Sequence, residues 1–175
     1  MKLPENCKLV FDNTDISNAI ERLADRLNKQ LVDETPVALC VMQGGLIFSG
    51  HLIPRLQCML DIDYIHATRY GNTTTGGQLT WKSYPDTALK GRTVLILDDI
   101  LDEGHTLQSI QKYCEAQGAS RVISAVLVRK KHERCVDSEL TDNVALDVDD
   151  KYVFGFGMDY DGKYRQLDSI YALNE

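Results

Sequence analysis

The clearest hydrophobic pattern in the chain is a continuous apolar run from Thr93 to Leu97 that ends in two adjacent carboxylates, Asp98 and Asp99. An uninterrupted run of this length predicts a strand that is buried on both faces, as in a parallel sheet. A short polar loop follows, and a helical pattern of apolar residues begins at Leu107. This order predicts a polar site at the carboxyl edge of a parallel sheet, where open α/β sheets bind ligands.

Strand and helix patterns alternate along the rest of the chain. The lead-in covers 1–13, and the predicted helices cover 15–31, with Asp15 as cap, and 46–56, while the helix at Leu107 ends at Gly118. The other predicted strands cover 37–42, 60–66, 121–128 and, as the last, 152–156, with an acidic surface stretch at 137–150. This alternation predicts an α/β fold with a mostly parallel, twisted sheet flanked by helices.

Residues 69–80 are polar and rich in Gly and Thr. Such a stretch is typical of a hairpin tip, and equally of a lid that closes over a binding site. The pattern alone leaves both interpretations open.

Composition places the chain among single-domain globular enzymes. Its 175 residues are 43% apolar and 26% charged, which fits one domain over 1–175 with a sizeable core. The net charge of −7 argues against a nucleic-acid partner and against an anionic membrane surface. We see no signal peptide and no apolar run long enough to span a bilayer.

The five cysteines are odd in number and never form a Cys-x-x-Cys pair. This pattern is typical of thiols in a reducing compartment, and most of them are expected in the core. Together with the absence of a targeting segment, it predicts a cytoplasmic protein.

The loop after Asp98 and Asp99 has a composition that suits a phosphorylated sugar. It leads into a helix N-terminus, where free backbone N–H groups and the helix dipole attract phosphate. The two carboxylates can accept hydrogen bonds from a pair of sugar hydroxyls or face a Mg²⁺ ion. Acids after a strand and Thr before a helix are also ordinary turn and capping residues, so spacing alone does not separate the two interpretations.

The whole pattern resembles the phosphoribosyl pyrophosphate motif of the type I phosphoribosyltransferases. That motif has four apolar residues, two acids, two apolar residues, and then Asp, Thr, Gly, any residue and Thr. This chain departs from it at one place, where Glu103 stands for the first Thr. A carboxylate repels phosphate, so we expect the Glu103 side chain to point away and backbone N–H groups to bind the phosphate.

Four further stretches, in the right order, resemble the hypoxanthine-guanine branch of that family: 39–45, 69–71, 127–130 and 152–165. The first resembles the pyrophosphate loop, where Gly residues let backbone N–H groups approach the leaving group. The family usually has Lys where this chain has Gln43, so a positive charge near pyrophosphate is missing.

The resemblance implies purine salvage, in which a phosphoribosyl group passes from phosphoribosyl pyrophosphate to hypoxanthine or guanine. It implies that Asp102 takes or steadies the proton of the purine ring. The ribose hydroxyls and sugar phosphate would be bound by Asp98, Asp99, Glu103, Gly104, His105 and Thr106. Pyrophosphate would be bound by Gln43, Gly44, Gly45 and Arg165, under a lid that begins at Arg69 and Tyr70.

The resemblance also assigns the purine and the metal. The purine would be bound by Lys130, Tyr152 and Val153. The cofactor would be Mg²⁺, held by Asp98, Asp99 and Asp159. A core over about 37–167 and a small hood from about 1–14 and 150–175 would complete the fold, and the subunits would assemble as a homodimer or homotetramer.

Two alternatives stay open at this point. One is a uracil-sensing, RNA-binding regulator built on the same fold, which the net charge of −7 and the 152–165 segment disfavour. The other is a phosphoribosyltransferase with another base specificity, such as xanthine.

Overall fold

The computed structural model describes residues 2–69, 79–137 and 139–174. The three helices are α1 (Asn13–Gln30), α2 (Gly45–Leu52) and α3 (His105–Ala116), and a short 3₁₀ helix covers Ile53–Arg55. The strands are β1 (Cys7–Phe11), β2 (Val37–Met42), β3 (Asp61–Arg69), β4 (Leu79–Ser83), β5 (Thr93–Leu101), β6 (Arg121–Lys131), β7 (Asn143–Asp149), β8 (Val153–Phe154) and β9 (Ile170–Leu173).

The strands form two sheets. Six of them lie in the order β4-β3-β2-β5-β6-β7, with β4 antiparallel to β3 and all other neighbours parallel. The chain ends form a second, antiparallel sheet in the order β1-β9-β8. The predicted fold class, a mostly parallel sheet flanked by helices with a small hood from the chain ends, is confirmed.

The helix α1 begins two residues earlier than the apolar pattern predicts. Its cap is Asp12, whose side chain accepts a hydrogen bond from the Asp15 backbone N–H, and the Asp15 carboxylate accepts in return from the Asp12 N–H. Asp15 is therefore the third residue of a capping box and not the cap, so that prediction was wrong. The apolar stripe of α1 packs into the main core with the same residues that the periodicity indicated.

The central strand β5 is longer than its apolar run. It passes through Asp98 and Asp99 to Leu101, because β6 continues beside it and pairs Ile100 with Val128 and Leu101 with Arg129. The prediction that the strand stops at the carboxylates was therefore wrong. The consequence for the site is that the acidic pair is held by the sheet itself and not by a loop.

Four strands were missed in the sequence, namely β1, β4, β7 and β9. The acidic stretch 137–150 contains β7, an edge strand that buries Val148 and exposes its acids, as edge strands commonly do. The lead-in contains β1, and β9 follows the strand that was predicted to be the last. Of the predicted lid, Tyr70 and most of 69–80 lie outside the described residues, while β4 begins at Leu79.

Two hydrophobic clusters lie on the two faces of the large sheet. One joins α1 and α2 to the sheet and to the smaller sheet of the chain ends, and the other joins α3 to the opposite face. All five cysteines are free thiols, and two of them, Cys40 and Cys114, are buried. In the described part of the chain, no helix combines the length and apolarity needed to cross a membrane.

Candidate active site

A cleft of about 610 Å³ opens at the carboxyl ends of the parallel strands. It lies between the ends of β2, β3 and β5, the loop into α3, and the segment after β8. Ligand sites of parallel sheets are expected at this edge. Most lining residues carry polar side chains, including Gln43, Asp99, Asp102, Asp159 and Arg165.

Two adjacent carboxylates of β5 line the cleft, the buried Asp98 and the half-buried Asp99. The Asp98 Oδ1 atom accepts a hydrogen bond of 2.9 Å from the Asp99 backbone N–H. Burial, and then the charge of Asp99, raise the pKa of Asp98 well above its ordinary value. Burial also raises the pKa of Asp99, while Arg165 acts in the opposite direction. Two adjacent carboxylates in a cleft favour a bound cation or hydroxyl donors.

The turn after β2 packs directly against Asp99. A Cβ atom at Gly44 would lie 1.9 Å from Asp99 Oδ2, so only glycine fits there. Gly45 follows as the first residue of α2 and is buried, and the preceding Met42–Gln43 peptide bond is cis. The Gln43 side chain is exposed at the cleft. The backbone of this turn therefore packs against the Asp99 carboxylate with no room for a side chain between them.

Asp102 receives two donors, one on each carboxylate oxygen. Lys130 Nζ lies 2.6 Å from Oδ2, and His132 Nε2 lies 2.7 Å from Oδ1. Although burial acts to raise its pKa, the hydrogen bonds from Lys130 and His132 outweigh it and lower the pKa of Asp102. The side chain of Asp102 is 41% exposed, so it stays accessible to a ligand in the cleft.

Arg165 connects the chain-end segment to the cleft. Its Nη2 lies 2.6 Å from Asp159 Oδ1, and its Nη1 donates to the Gly157 carbonyl oxygen at 2.6 Å. The other Asp159 oxygen accepts from the Gly162 backbone N–H at 2.8 Å. Both Asp159 oxygens are thus engaged within this segment, and a ligand on Asp159 would have to share it with Arg165.

The loop into α3 closes the other side of the cleft. Glu103, Gly104 and Thr106 line it, and Gly104 occupies the N-cap position of α3. Glu103 Oε2 lies 3.7 Å from His105 Nε2, and the Glu103 carbonyl oxygen accepts from the Val136 N–H. The free N–H groups of the first turn of α3 face an anion-binding position.

Comparison with known proteins identifies the fold and its relatives. The sequence profile of the phosphoribosyl transferase domain matches residues 8–162. The chain belongs to the phosphoribosyl transferase domain family. The match includes the acidic pair, the loop into α3 and the turn after β2, so it covers the elements that build the cleft.

Relatives that match this chain over nearly its full length are named as phosphoribosyltransferases of purine bases. The chain is 33% identical over 169 residues to the hypoxanthine-guanine phosphoribosyltransferase of Streptococcus thermophilus (strain CNRZ 1066), covering 96% of this chain and 93% of that protein. It is 30% identical over 167 residues to the protein of the same name from Bacillus subtilis (strain 168), covering 95% and 92%. A crystal structure of a Staphylococcus aureus hypoxanthine phosphoribosyltransferase superimposes with a TM-score of 0.89 at 27% identity, covering 95% and 91%.

Most of the residues assigned by resemblance meet at the cleft of this family member. The lining includes the following predicted residues: Gln43, Gly44, Asp98, Asp99, Asp102, Glu103, Gly104, Thr106, Asp159 and Arg165. Gly45 and His105 are adjacent in sequence but do not line it. Their individual roles stay predictions.

The three predicted purine residues lie beside the cleft and not in its lining. Lys130 is 14% exposed and reaches the cleft through Asp102. Tyr152 is exposed, and its hydroxyl donates to the Asp159 carbonyl oxygen at 3.1 Å. Val153 is buried in the smaller sheet. For Arg69, the structure describes the backbone, which pairs with Leu79.

Four polar side chains at the site were missed in the sequence, namely His66, Thr68, Lys82 and His132. His132 follows Lys130 at the spacing of residues on one face of a strand, a signal that becomes visible only when β6 is extended beyond Val128. Lys82 of β4 lines the cleft, and burial together with the Lys82 charge lowers the pKa of the neighbouring His66. No sequence signal pointed to Lys82, because β4 itself was not predicted.

Proposed function

We propose that this protein transfers the phosphoribosyl group from phosphoribosyl pyrophosphate to hypoxanthine or guanine. The observation that carries the proposal is the cleft itself, in which the family motif, the turn after β2 and Asp102 with Lys130 converge in a chain whose full-length relatives bear that name. The products would be inosine or guanosine monophosphate and pyrophosphate.

The reaction exchanges one bond at the anomeric carbon. The bond from ribose C1′ to the pyrophosphate oxygen breaks, and its electron pair leaves with pyrophosphate. A purine ring nitrogen forms the new bond to C1′, and the proton that the ring loses passes to the Asp102 carboxylate. Lys130 Nζ donates to Oδ2 at 2.6 Å. Transfer of its ammonium group to the exocyclic oxygen of the purine would free that oxygen to accept the proton.

The chain's own residues fit Mg²⁺ as the cofactor. Asp98 and Asp99 offer adjacent carboxylate oxygens whose pKa values are raised chiefly by burial, and carboxylate oxygen is the ligand type that Mg²⁺ prefers. Asp159 would hold a second ion in competition with Arg165. When bound, Mg²⁺ would neutralise charge on the leaving pyrophosphate.

We further infer that the protein forms a homodimer or homotetramer in the cytoplasm. The support for assembly is an apolar pair on β3, Ile62 and Tyr64, whose side chains are 65% and 49% exposed. Their register partners in β2 are Ala38 and Cys40, so the pair faces the side of the sheet on which α2 packs. A second copy could cover this face. The five free thiols support a reducing compartment.

A panel of bases tests the proposed function. Purified protein is assayed for pyrophosphate release with phosphoribosyl pyrophosphate, Mg²⁺ and each of hypoxanthine, guanine, xanthine, adenine and uracil. We expect rapid turnover of hypoxanthine or guanine. Turnover of uracil without any purine would contradict the proposal and favour the uracil-sensing alternative, while xanthine use would widen the specificity.

Substitution of Lys130 tests how the base is chosen. An ammonium group only donates hydrogen bonds, so it suits the exocyclic oxygen of hypoxanthine and cannot bond the amino group of adenine. Sites of this kind discriminate by roughly 10⁴–10⁵-fold, and Lys130→Met should reduce hypoxanthine use far more than adenine use. Arg129→Met is the control, because Arg129 pairs instead with Asp147 at 2.8 Å. Loss of selectivity in the control alone would assign the base contact to Arg129.

A further inference from the structure

His132 is a second partner of Asp102, and it lies just beyond the end of β6. Its side chain is 4% exposed, and its Nε2 atom lies 2.7 Å from Asp102 Oδ1. Lys130 approaches the other oxygen, Oδ2, at 2.6 Å. Asp102 is therefore held from both sides, and only one of the two donors is a residue that the family resemblance assigns to the purine.

The hydrogen bonds of His132 define its tautomer. Its Nδ1 atom accepts a hydrogen bond of 3.1 Å from the Arg134 backbone N–H. In the neutral ring, a nitrogen that accepts carries no proton, so the proton lies on Nε2 and is donated to Asp102. The ring is thus fixed at both nitrogens.

The two donors differ in their freedom to move. Lys130 ends in an ammonium group on a flexible four-carbon chain, which can turn from Asp102 to a ligand. The His132 ring is buried, and the loop that carries it is attached to the cleft, since the Val136 N–H donates to the Glu103 carbonyl oxygen at 2.9 Å. If a purine drew Lys130 away, His132 would keep its contacts with Asp102 and with the Arg134 backbone.

We propose that His132 is a positioning residue that holds Asp102 Oδ1, so that Oδ2 faces the purine as the proton acceptor. This inference rests on the proposed function. Asp102 would otherwise be free to rotate about its side-chain bonds once Lys130 leaves. A carboxylate fixed in advance avoids that reorganisation when the proton is transferred.

Several charged groups face this pair. The Asp102 carboxylate is approached by Lys130 from β6 and lies near Arg134. The charge of Arg134 also interacts with that of Glu103 in the motif loop. Its guanidinium group donates two hydrogen bonds of 2.8 Å to Asp150, which follows β7. Asp150 in turn is influenced by His132 and Lys130. Any pH profile of Asp102 therefore includes these groups, and a control must alter them without touching His132.

The test compares the rate of the chemical step, measured in single-turnover experiments over a range of pH, in four proteins. These are the wild type, His132→Phe, His132→Gln and the control Arg134→Gln. In His132→Phe the ring shape stays but the donor is lost, and we expect chemistry to slow by about 10–100-fold. The KM for phosphoribosyl pyrophosphate should stay within about twofold of wild type, because His132 makes no contact with this substrate in the proposed role.

Two further results are expected if the donor matters. The acid limb of the rate profile should shift to higher pH in His132→Phe, because a hydrogen bond to the charged form of Asp102 is lost. His132→Gln, whose amide can donate where Nε2 does, should recover about tenfold in rate. Arg134→Gln keeps the backbone N–H that His132 accepts from and should stay within about twofold of wild type.

Unchanged chemistry in a folded His132→Phe, or equal slowing in the Phe and Gln variants, would overturn the inference. Long-range ¹H–¹⁵N spectra of the ligand-free wild type give an independent result, even if the Phe variant does not fold. We expect the Nε2–H tautomer at His132 and a changed ring shift in Asp102→Asn, and an Nδ1–H tautomer would overturn the inference. A wild type that turns over no purine would contradict the proposed function itself. The tautomer of His132 would then still show, independently of activity, whether its Nε2–H group donates to Asp102.

Discussion

At the scale of single residues, the site combines carboxylates in opposite electrostatic states. Asp98 is buried beside Asp99 and has a raised pKa, while Asp102 is bonded by two donors and has a lowered pKa. Burial disfavours the charged form of Asp98, and the hydrogen bonds from Lys130 and His132 favour the charged form of Asp102. The different surroundings of Asp98 and Asp102 therefore fit the two roles predicted for them. Asp98 would bind a metal or the ribose, and Asp102 would take part in the chemistry of the base.

Asp98→Asn should stabilise the ligand-free protein at neutral pH. A folded-state pKa above the unfolded value means that the native state keeps a proton that the unfolded state has lost, so stability falls as pH rises from the unfolded to the folded pKa. The variant cannot titrate at this position. Its gain over wild type should therefore be near zero at low pH, grow as the pH rises from the unfolded to the folded pKa, and stay constant above it.

Thermal unfolding without Mg²⁺, measured from acid to mildly alkaline pH, checks this prediction. Asp25→Asn on the exposed side of α1 is the control and should not change the pH dependence. Added Mg²⁺ should raise the melting temperature of wild type more than that of Asp98→Asn, because the ion binds the native state through this carboxylate. A variant that is less stable than wild type at neutral pH would contradict the account.

Residue patterns predicted the buried parts of the site better than its outer contacts. The acidic pair and the loop after it were predicted because four apolar residues, two acids and a glycine-containing turn follow one another directly in the sequence. His132 and Lys82 were missed because their contacts depend on strands that extend beyond, or lie outside, any apolar run. The sequence predicts Asp15 as the helix cap and not Asp12, because a capping box has acids at two nearby positions.

At the scale of elements, the bounds of the strands depend more on the neighbouring strand than on their own composition. Strand β5 runs through two carboxylates because β6 offers backbone partners there, and β7 forms in an acidic stretch because it pairs with β6 on one side only. Local hydrophobicity cannot show either effect, since both arise from the neighbouring strand. The interior strand β2 was predicted with its observed bounds because it is apolar throughout and buried.

The contact between the turn after β2 and the segment after β8 predicts the effect of Gly157→Ala. Gly157 has φ +105°, and a Cβ atom there would lie 2.1 Å from the Gly44 carbonyl oxygen. Gly157 also accepts the hydrogen bond from Arg165. We expect the variant to lose about 3 kcal/mol of stability and to raise the KM for phosphoribosyl pyrophosphate, because the two segments must separate.

Gly162→Ala is a matched control for this prediction. Gly162 has φ +71°, also in the left-handed region, but nothing lies within 4 Å of the added Cβ. This variant should lose only about 1 kcal/mol from backbone strain and keep the KM of wild type. Urea unfolding and steady-state kinetics measure both effects, and equal losses in the two variants would show that the close approach to Gly44 is unimportant.

At the scale of the whole molecule, the order of the motifs along the sequence was enough to predict the family and the fold. The segment between β8 and β9 packs on the turn after β2 at Gly157, and the charge of its Arg165 acts on Asp99. The cleft therefore depends on both sheets, although the segments that build it are far apart in sequence. The proposed domain bounds, with a core over about 37–167, stay a prediction.

Assembly is the property of the whole molecule that the apolar pair on β3 predicts. A stable interface buries about 800 Å² on each partner and places apolar side chains at its centre. Ile62→Glu would put a charge at the centre of that face. Sedimentation equilibrium should show a dimer or tetramer for wild type, and for Ile62→Glu a dissociation constant raised by at least about 100-fold, which corresponds to roughly 2.7 kcal/mol.

The control for this prediction is Leu9→Glu, which places the same charge on the smaller sheet at a side chain that is also exposed. It should leave the assembly of wild type unchanged, because β1 lies in the other sheet. A wild type that is fully active as a monomer would refute assembly altogether. An oligomer that withstands Ile62→Glu but dissociates in Leu9→Glu would move the interface to the sheet of the chain ends.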